Sequence, residues 1–172
     1  MKMSLEQIEE KIEAAELVLM GIGESFFAEK DTEKLRKAYA ACAALLKGKN
    51  YFIISVCTDN LLQQADLKED RMVFPLLEKE EKSKSWELYM KWLQGTLNKK
   101  LLVLEFGVGL RYPDLIRFPF EKVVYLNQKA ELVRIHEMLY QLPEQLNGRG
   151  ISIAENPISL LTDTKLNYKK NI

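Results

Sequence analysis

The sequence has few of the residues that build metal centres and disulfide frameworks. It contains two cysteines, Cys42 and Cys57, and one histidine, His136, among 172 residues. Two cysteines cannot form a disulfide framework or a four-cysteine zinc site, and one histidine adds too little for a mixed site. We therefore expect no metal and reduced thiols, as in a cytoplasmic protein.

Net charge and long apolar runs are also missing. The 25 Lys and Arg residues balance 25 Asp and Glu residues, whereas general nucleic-acid and membrane-surface binders are usually basic. The N-terminal segment turns acidic at Glu6, where a secretory signal would become apolar. The longest uncharged stretch, Ala38 to Leu46, is far shorter than the about 20 residues that cross a bilayer. We predict a cytoplasmic protein that binds neither nucleic acid nor membrane.

The chain does contain short apolar runs that alternate with amphipathic helices. The predicted strands are 17–20, 51–56, an edge strand at 71–74, 101–106, 123–126, 132–135 and 151–153. The predicted helices begin at a capping box on Ser4, near Asp31, at Ser85, at Glu137 and at Pro157. This alternation predicts a single α/β domain with an open, mostly parallel sheet and helices on both faces. In such sheets ligands bind beyond the carboxyl ends of the strands.

The first apolar run ends in a turn that contains Gly21, Gly23, Glu24 and Ser25. Glycine lets the backbone turn sharply and approach a phosphate group, which backbone N–H groups can bind. Glu24 opposes such binding, because like charges repel. The alternative interpretation is a tight strand-to-helix turn that holds no ligand.

A second Gly-x-Gly turn, formed by Gly107 and Gly109, ends the run 101–106. Its repetition strengthens the argument for a phosphate site, and we expect the two turns to line one common cleft. Arg111 and Arg117 follow and are suited to pair with phosphate or carboxylate; the alternative for either is a surface ion pair.

Three further polar residues follow other strands. Cys57 and Asp59 end the run 51–56, and His136 follows the run 132–135. Asp59 is placed either to touch a ligand or to cap the next helix, and Cys57 is better explained as an inert buried thiol. No Ser-His-Asp or Cys-His arrangement can be argued for His136 from spacing.

These segments, in this order, resemble the sirtuin family. Leu17 to Ser25, LVLMGIGES, is similar to the strand and G-A-G-x-S loop that hold NAD phosphates. Leu101 to Phe120, LLVLEFGVGLRYPDLIRFPF, resembles the L-E-L-G-V-G-x-x-T-P-x-x-I-R-x-P-F stretch of the branch encoded beside macrodomain proteins. Ser55 to Asn60 stands where sirtuins have T-x-N-x-D-G, and Leu132 to His136 resembles the L-I-R-I-N strand. The resemblance covers roughly residues 10–165.

The resemblance implies one Rossmann-like domain over residues 1–172, with 61–100 as a reduced small-lobe insertion and the zinc lobe absent. It also implies NAD as the cofactor. The residues expected to contact NAD or ADP-ribose are Gly21, Gly23, Glu24, Ser25, Cys57, Asp59, Gly107, Val108, Gly109, Arg117 and His136.

The sequence departs from the family where catalysis would take place. Cys57 stands at the position of the catalytic Asn, His136 at that of the adenosine-side Asn, and no His-Gly pair supplies the deacylase base. We therefore predict a catalytically impaired domain that binds NAD or ADP-ribose. Two alternatives stay open: an active NAD-dependent ADP-ribosyltransferase or deacylase, and an interaction protein that keeps the fold without nucleotide. The sequence identifies no catalytic residue and no protein partner.

Overall fold

A six-stranded parallel sheet forms the centre of the protein. The structure is a computed structural model that describes residues 4–77, 83–146 and 148–163. Its strands are β1 Leu17–Ile22, β2 Asn50–Ser55, β3 Met72–Val73, β4 Leu101–Phe106, β5 Glu131–Ile135 and β6 Gly150–Ile153. Neighbouring strands run parallel in the order β3-β2-β1-β4-β5-β6. This is the strand order of Rossmann-type sheets, in which the order reverses between β1 and β4.

Helices cover both faces of the sheet. They are α1 Leu5–Ala14, α2 Thr32–Leu46, α3 Lys84–Gln94, α4 Arg117–Leu126 and α5 Pro157–Leu161. The helices α1, α2 and α5 pack in one hydrophobic cluster against the sheet, and α3 and α4 pack in a second cluster on the opposite side. The predicted Rossmann-like α/β sheet with helices on both faces is confirmed. Among the described residues, no helix is long and apolar enough to cross a membrane.

Local sequence signals explain where the first helices begin. The Ser4 hydroxyl accepts a hydrogen bond from the Gln7 N–H at 3.4 Å, and the Gln7 side chain accepts one from the Ser4 N–H at 2.7 Å. This confirms the predicted capping box. The Asp31 carboxylate accepts hydrogen bonds from the backbone of the first turn of α2. The cap of α3 is Ser83 rather than the predicted Ser85.

The prediction of a strand at 123–126 is wrong, because these residues form the end of α4. Two adjacent valines favour a strand locally, but the buried positions of α4 include Phe120 and Val124, which are one helical turn apart. Pro119 lies in the first turn of α4, where its missing N–H has no partner within the helix in any case. The long-range packing of this amphipathic segment therefore decides its structure.

The helix predicted from Glu137 to Leu146 is also wrong. The segment is a loop that ends in a short 3-10 helix, Glu144–Leu146. Pro143 explains part of this result, because proline disfavours helical backbone at the preceding residue and donates no hydrogen bond. Buried arginine side chains hold the loop instead: they bind the carbonyl groups of Leu139 and Gln141.

The described residues of the predicted insertion, 61–77 and 83–100, join the sheet through β3, which pairs with β2 as the predicted edge strand. The helix α3 of this region packs against β2 through aromatic side chains. The ring of Phe52 lies 5.3 Å from that of Tyr89 and 5.6 Å from that of Trp92, measured between centroids. This region therefore completes one edge of the domain and covers one face of it.

Candidate functional site

The two glycine turns lie side by side at the carboxyl ends of β1 and β4. These strands are neighbours in register, with Ile22 opposite Phe106. The Gly23 N–H donates to the Phe106 carbonyl at 2.9 Å, and the Ser25 N–H donates to the Gly107 carbonyl at 3.1 Å. The two turns therefore meet at one place, the point where the strand order reverses. That they line a ligand-binding cleft stays a prediction.

Close packing between the two turns explains two of the glycines. A Cβ atom on Gly23 would lie 2.6 Å from the Gly107 carbonyl carbon. Gly107 has a φ of +69°, and a Cβ atom there would lie 2.6 Å from the Cβ of Ser25. No other residue type fits these positions without a shift of the backbone. The turns 23–25 and 107–109 therefore form one interlocked unit.

Gly21 has a different role. A Cβ atom on Gly21 would lie 2.7 Å from Cγ2 of Ile116 and 2.8 Å from Cε2 of Phe120. Its missing side chain makes room for the start of α4 against β1. The structure thus separates Gly21, which serves helix packing, from the glycines of the interlocked turns.

Glu24 places a carboxylate on the interlocked turns. Its Oε1 accepts a hydrogen bond from the Arg111 N–H at 3.1 Å. The same oxygen would lie 2.6 Å from a Cβ atom on Gly109. The Arg111 guanidinium lies over the rings of Phe27 and Tyr112, 5.6 and 5.4 Å from their centroids. Glu24 is therefore held by a backbone N–H group, against a glycine surface.

Ser25 and His136 form a pair at the ends of β1 and β5, with 3.3 Å between the Ser25 Oγ and the His136 Nε2. His136 Nδ1 accepts hydrogen bonds from the N–H groups of Met138 at 3.0 Å and Leu139 at 2.9 Å. Nδ1 is thus the acceptor, so the ring proton lies on Nε2 and is donated to Ser25. Burial lowers the pKa of His136, although Glu24 opposes this shift. A histidine in this tautomer cannot take a proton from Ser25.

Arg117 lies behind the second turn and is buried. Its Nη1 donates to the carbonyls of Val108 and Leu139, both at 3.0 Å, and its Nη2 donates to that of Gln141 at 3.4 Å. Burial lowers the pKa of the Arg117 guanidinium. Arg117 therefore fixes the turn at Val108 to the loop that follows β5, and its contact with a ligand remains a prediction.

A buried ion network next to Arg117 is absent from the sequence predictions. Arg134 Nε and Nη2 donate to the two carboxylate oxygens of Glu105 at 2.9 and 3.0 Å, and Nη2 also donates to Glu121 at 2.8 Å. Burial raises the pKa of Glu105, whereas Arg134 lowers it; the two glutamates raise the pKa of Arg134. One signal was available: Glu105 and Arg134 are charged residues inside the apolar runs LLVLEF and LVRI.

The end of β2 adjoins these turns, because the Val56 N–H donates to the Ile22 carbonyl at 3.1 Å. Cys57 is buried there, and burial raises the pKa of its thiol. The Tyr39 hydroxyl donates to Asp59 at 3.0 Å, and Asp59 also accepts from the Leu61 N–H at 3.0 Å. Cys57 is therefore a buried thiol with a raised pKa, whereas Asp59 is exposed.

An aromatic contact connects the turn that follows β1 with the residues that follow β2. Phe26, which follows the first turn, stacks on Tyr39 with 5.6 Å between ring centroids and 9° between ring planes. Tyr39 in turn holds Asp59. Within residues 4–77, 83–146 and 148–163, no group of three or more His, Cys, Asp or Glu side chains could hold a metal ion.

Comparison with solved structures defines the class of fold. The chain is similar to a solved structure of a Sir2 enzyme, with a TM-score of 0.54 and 10% identity, over 98% of this chain and 99% of that chain. The fold is therefore sirtuin-like, which confirms the predicted resemblance to the sirtuin family at the level of the fold. No protein-family profile matches the sequence.

One curated protein is similar in sequence. It is a protein ADP-ribosyltransferase of Staphylococcus aureus (strain Mu50), which is 27% identical over 74 residues. The match covers 43% of this chain and 24% of that protein, so the matched segment spans about a quarter of the relative's length.

Proposed function

We propose that this protein binds a nucleotide that carries a diphosphate, such as NAD or ADP-ribose, at the carboxyl ends of β1, β4 and β5. The observation that carries the proposal is the pair of interlocked turns, 23–25 and 107–109, beside Ser25 and His136. In sheets with this strand order, dinucleotides lie across the point where the order reverses. The likeness to a Sir2 enzyme and to an ADP-ribosyltransferase supports the same ligand class.

The resemblance to sirtuins suggests how such a ligand would lie. The two turns would face the phosphates, and His136 at the end of β5 would face the adenine-side ribose. Asp59, exposed at the end of β2 and oriented by Tyr39, would face the second ribose. Arg117 would act as a positioning residue, because its donors hold the second turn from behind.

We propose that binding occurs without turnover. Cys57 stands where the resembled family has its catalytic Asn, and it is a buried thiol with a raised pKa. The proton on His136 Nε2 faces Ser25, so this pair has no general base. Incubation with NAD and acylated or lipoylated protein should release no nicotinamide above background.

One alternative is an active ADP-ribosyltransferase, which the name of the curated relative favours. It predicts nicotinamide release that depends on residues of the site. Asp59→Asn is the informative variant, because Asp59 is exposed and its loss leaves the interlocked turns intact. Turnover in the wild type that Asp59→Asn abolishes would overturn the proposal of binding without catalysis.

Calorimetric titration with NAD and ADP-ribose tests binding itself. We expect dissociation constants between micromolar and millimolar, about 4–8 kcal/mol of binding free energy. His136 is the single histidine, so its ring resonances are assigned without ambiguity and report on occupancy of the proposed site. If neither ligand gives heat or shifts the His136 resonances at millimolar concentration, the interaction-protein alternative replaces this proposal.

A further inference from the structure

The Glu24 carboxylate occupies a position that suits an anion. A backbone N–H group and a bare glycine surface are the features by which a loop holds a phosphate oxygen. Glu24 Oε1 uses both: it accepts from the Arg111 N–H at 3.1 Å and would lie 2.6 Å from a Cβ atom on Gly109. In the absence of ligand, the site therefore already holds a negative group supplied by the chain itself.

One backbone N–H group, that of Arg111, holds this carboxylate, rather than a side-chain cation. Within the described part of the chain, no Lys or Arg nitrogen lies within 4.0 Å of the Glu24 oxygens. The guanidinium of Arg111, the residue whose N–H Glu24 binds, stacks on Phe27 and Tyr112 instead. Replacing Glu24 by a neutral residue would thus leave an N–H donor beside Gly109 and no unpaired cation.

The geometry points to Glu24 as an internal occupant of the phosphate position, which a diphosphate ligand must displace in order to bind. This inference rests on the proposed function, because it concerns the same site. Two negative charges within a few ångströms repel each other, and the repulsion is stronger in a partly buried site than in water. The carboxylate and a phosphate therefore compete for one place.

The competition selects among ligands by their charge. A ligand without phosphate, such as adenosine, meets no repulsion from Glu24. A ligand with a diphosphate gains affinity when the carboxylate is removed, by about tenfold or more, since about 1.4 kcal/mol corresponds to a factor of ten. Glu24 is therefore the residue that sets how well this sirtuin-like site accepts phosphate.

Two variants and one control test the inference. Glu24→Gln keeps the shape of the side chain and removes its charge, and Glu24→Ala empties the position. Glu137→Gln is the matched control, because Glu137 is an exposed neighbour of His136 and its loss removes the same charge nearby. Circular dichroism and thermal unfolding verify that each variant is folded; Glu24→Gln remains informative if Glu24→Ala does not fold.

The proteins are titrated with inorganic pyrophosphate, ADP-ribose and adenosine by calorimetry, while the amide signal of Arg111 is followed by NMR. We expect both Glu24 variants to bind pyrophosphate and ADP-ribose about tenfold more tightly than the wild type or more. Adenosine affinity should stay the same, and Glu137→Gln should behave like the wild type. Pyrophosphate should shift the Arg111 amide signal in Glu24→Ala.

The outcomes separate the two proposals. If the wild type binds ADP-ribose and the Glu24 variants bind it no more tightly than Glu137→Gln, the inference about Glu24 is overturned and the proposed function stands. If only the Glu24 variants bind pyrophosphate and ADP-ribose, the inference is supported and the wild type is not a nucleotide binder. If no protein binds any phosphate ligand, both proposals fall.

Discussion

Two clusters of polar side chains lie near the carboxyl ends of β1, β4 and β5, and they differ in charge and in solvent exposure. In the ion network of Glu105, Glu121 and Arg134, the central pair is buried, with Arg134 1% and Glu105 0% exposed, and Glu121 at its edge is 22% exposed. The turn cluster of Glu24, Ser25 and His136 is only partly buried.

The hydrogen bonding of the two clusters indicates which of them suits the proposed ligand. Arg134 donates from Nε and both terminal nitrogens, to Glu105, to Glu121 and to the Gln141 carbonyl. Because buried charges require such complete pairing, this network serves the structure. The turn cluster holds its carboxylate by one backbone N–H group and joins its two neutral side chains by one hydrogen bond of 3.3 Å. It is the cluster whose contacts the proposed ligand would replace.

Removing the centre of the ion network should have the largest effect on stability. Arg134→Met would leave the Glu105 carboxylate buried and uncompensated, which costs about 3–5 kcal/mol of unfolding free energy. Urea unfolding measures this loss. The double variant Glu105→Leu with Arg134→Met should recover much of it, because no buried charge then remains on either strand. A loss below about 1 kcal/mol in Arg134→Met would show that water reaches Glu105.

The interlocked turns come next in expected effect. Gly107→Ala should cost about 2–5 kcal/mol, because an alanine would be strained at φ +69° and would clash with Ser25. Gly48→Ala is the matched control, since Gly48 has φ +78° and nothing within 4 Å of a Cβ atom. The control should lose about 1–2 kcal/mol of unfolding free energy, which is the cost of placing alanine at a positive φ without a clash. Equal losses in the two variants, measured by urea unfolding, would show that the turns can separate.

The pair of Ser25 and His136 predicts a smaller, pH-dependent effect. Burial holds the pKa of His136 below its unfolded value of about 6.5. The unfolded chain therefore binds more protons in acid, and the free energy of unfolding should fall as the pH drops through about 6.5 toward the folded pKa. His136→Asn should flatten this part of the pH profile. Parallel profiles for the two proteins, measured between about pH 5 and 8, would contradict the neutral tautomer.

An exposed ion pair should show the smallest effect and completes the comparison of charged groups. Lys11 and Glu131 lie 2.8 Å apart at the amino-terminal side of β5, with side chains 28% and 52% exposed. Lys11→Met should change the unfolding free energy by less than about 1 kcal/mol, because solvent screens the pair. An effect as large as that of Arg134→Met would mean that burial does not determine how much an ion pair contributes to the stability of this protein.

Local sequence patterns predicted much of the fold. The apolar runs of β1 and β4, the second interrupted by Glu105, are typical of strands that are buried on both faces, and both strands are buried along their whole length. The cap at Ser4 and the glycine turns after β1 and β4 could also be located from the sequence. Patterns of this kind succeed because they depend on neighbours within a few residues.

The candidate site was predictable only in outline. The sequence placed Gly23 and Gly107 at strand ends and predicted that their turns meet, but it assigned their missing side chains to a ligand. In the structure the same space is filled by the opposite turn. The sequence also marked Glu24 as unfavourable for phosphate, without locating the Arg111 N–H group that holds it.

By itself, the sequence determined the alternation of strands and helices, because apolar periodicity and glycine turns act locally. That alternation in turn predicts the parallel sheet and the edge at which the proposed ligand would bind. Tertiary structure alone decided that 123–126 completes a helix, that Glu105 meets Arg134, and that the proton of His136 faces Ser25. Each of these outcomes depends on groups from separate strands and loops. Their contacts exist only once strand order and register bring the groups together.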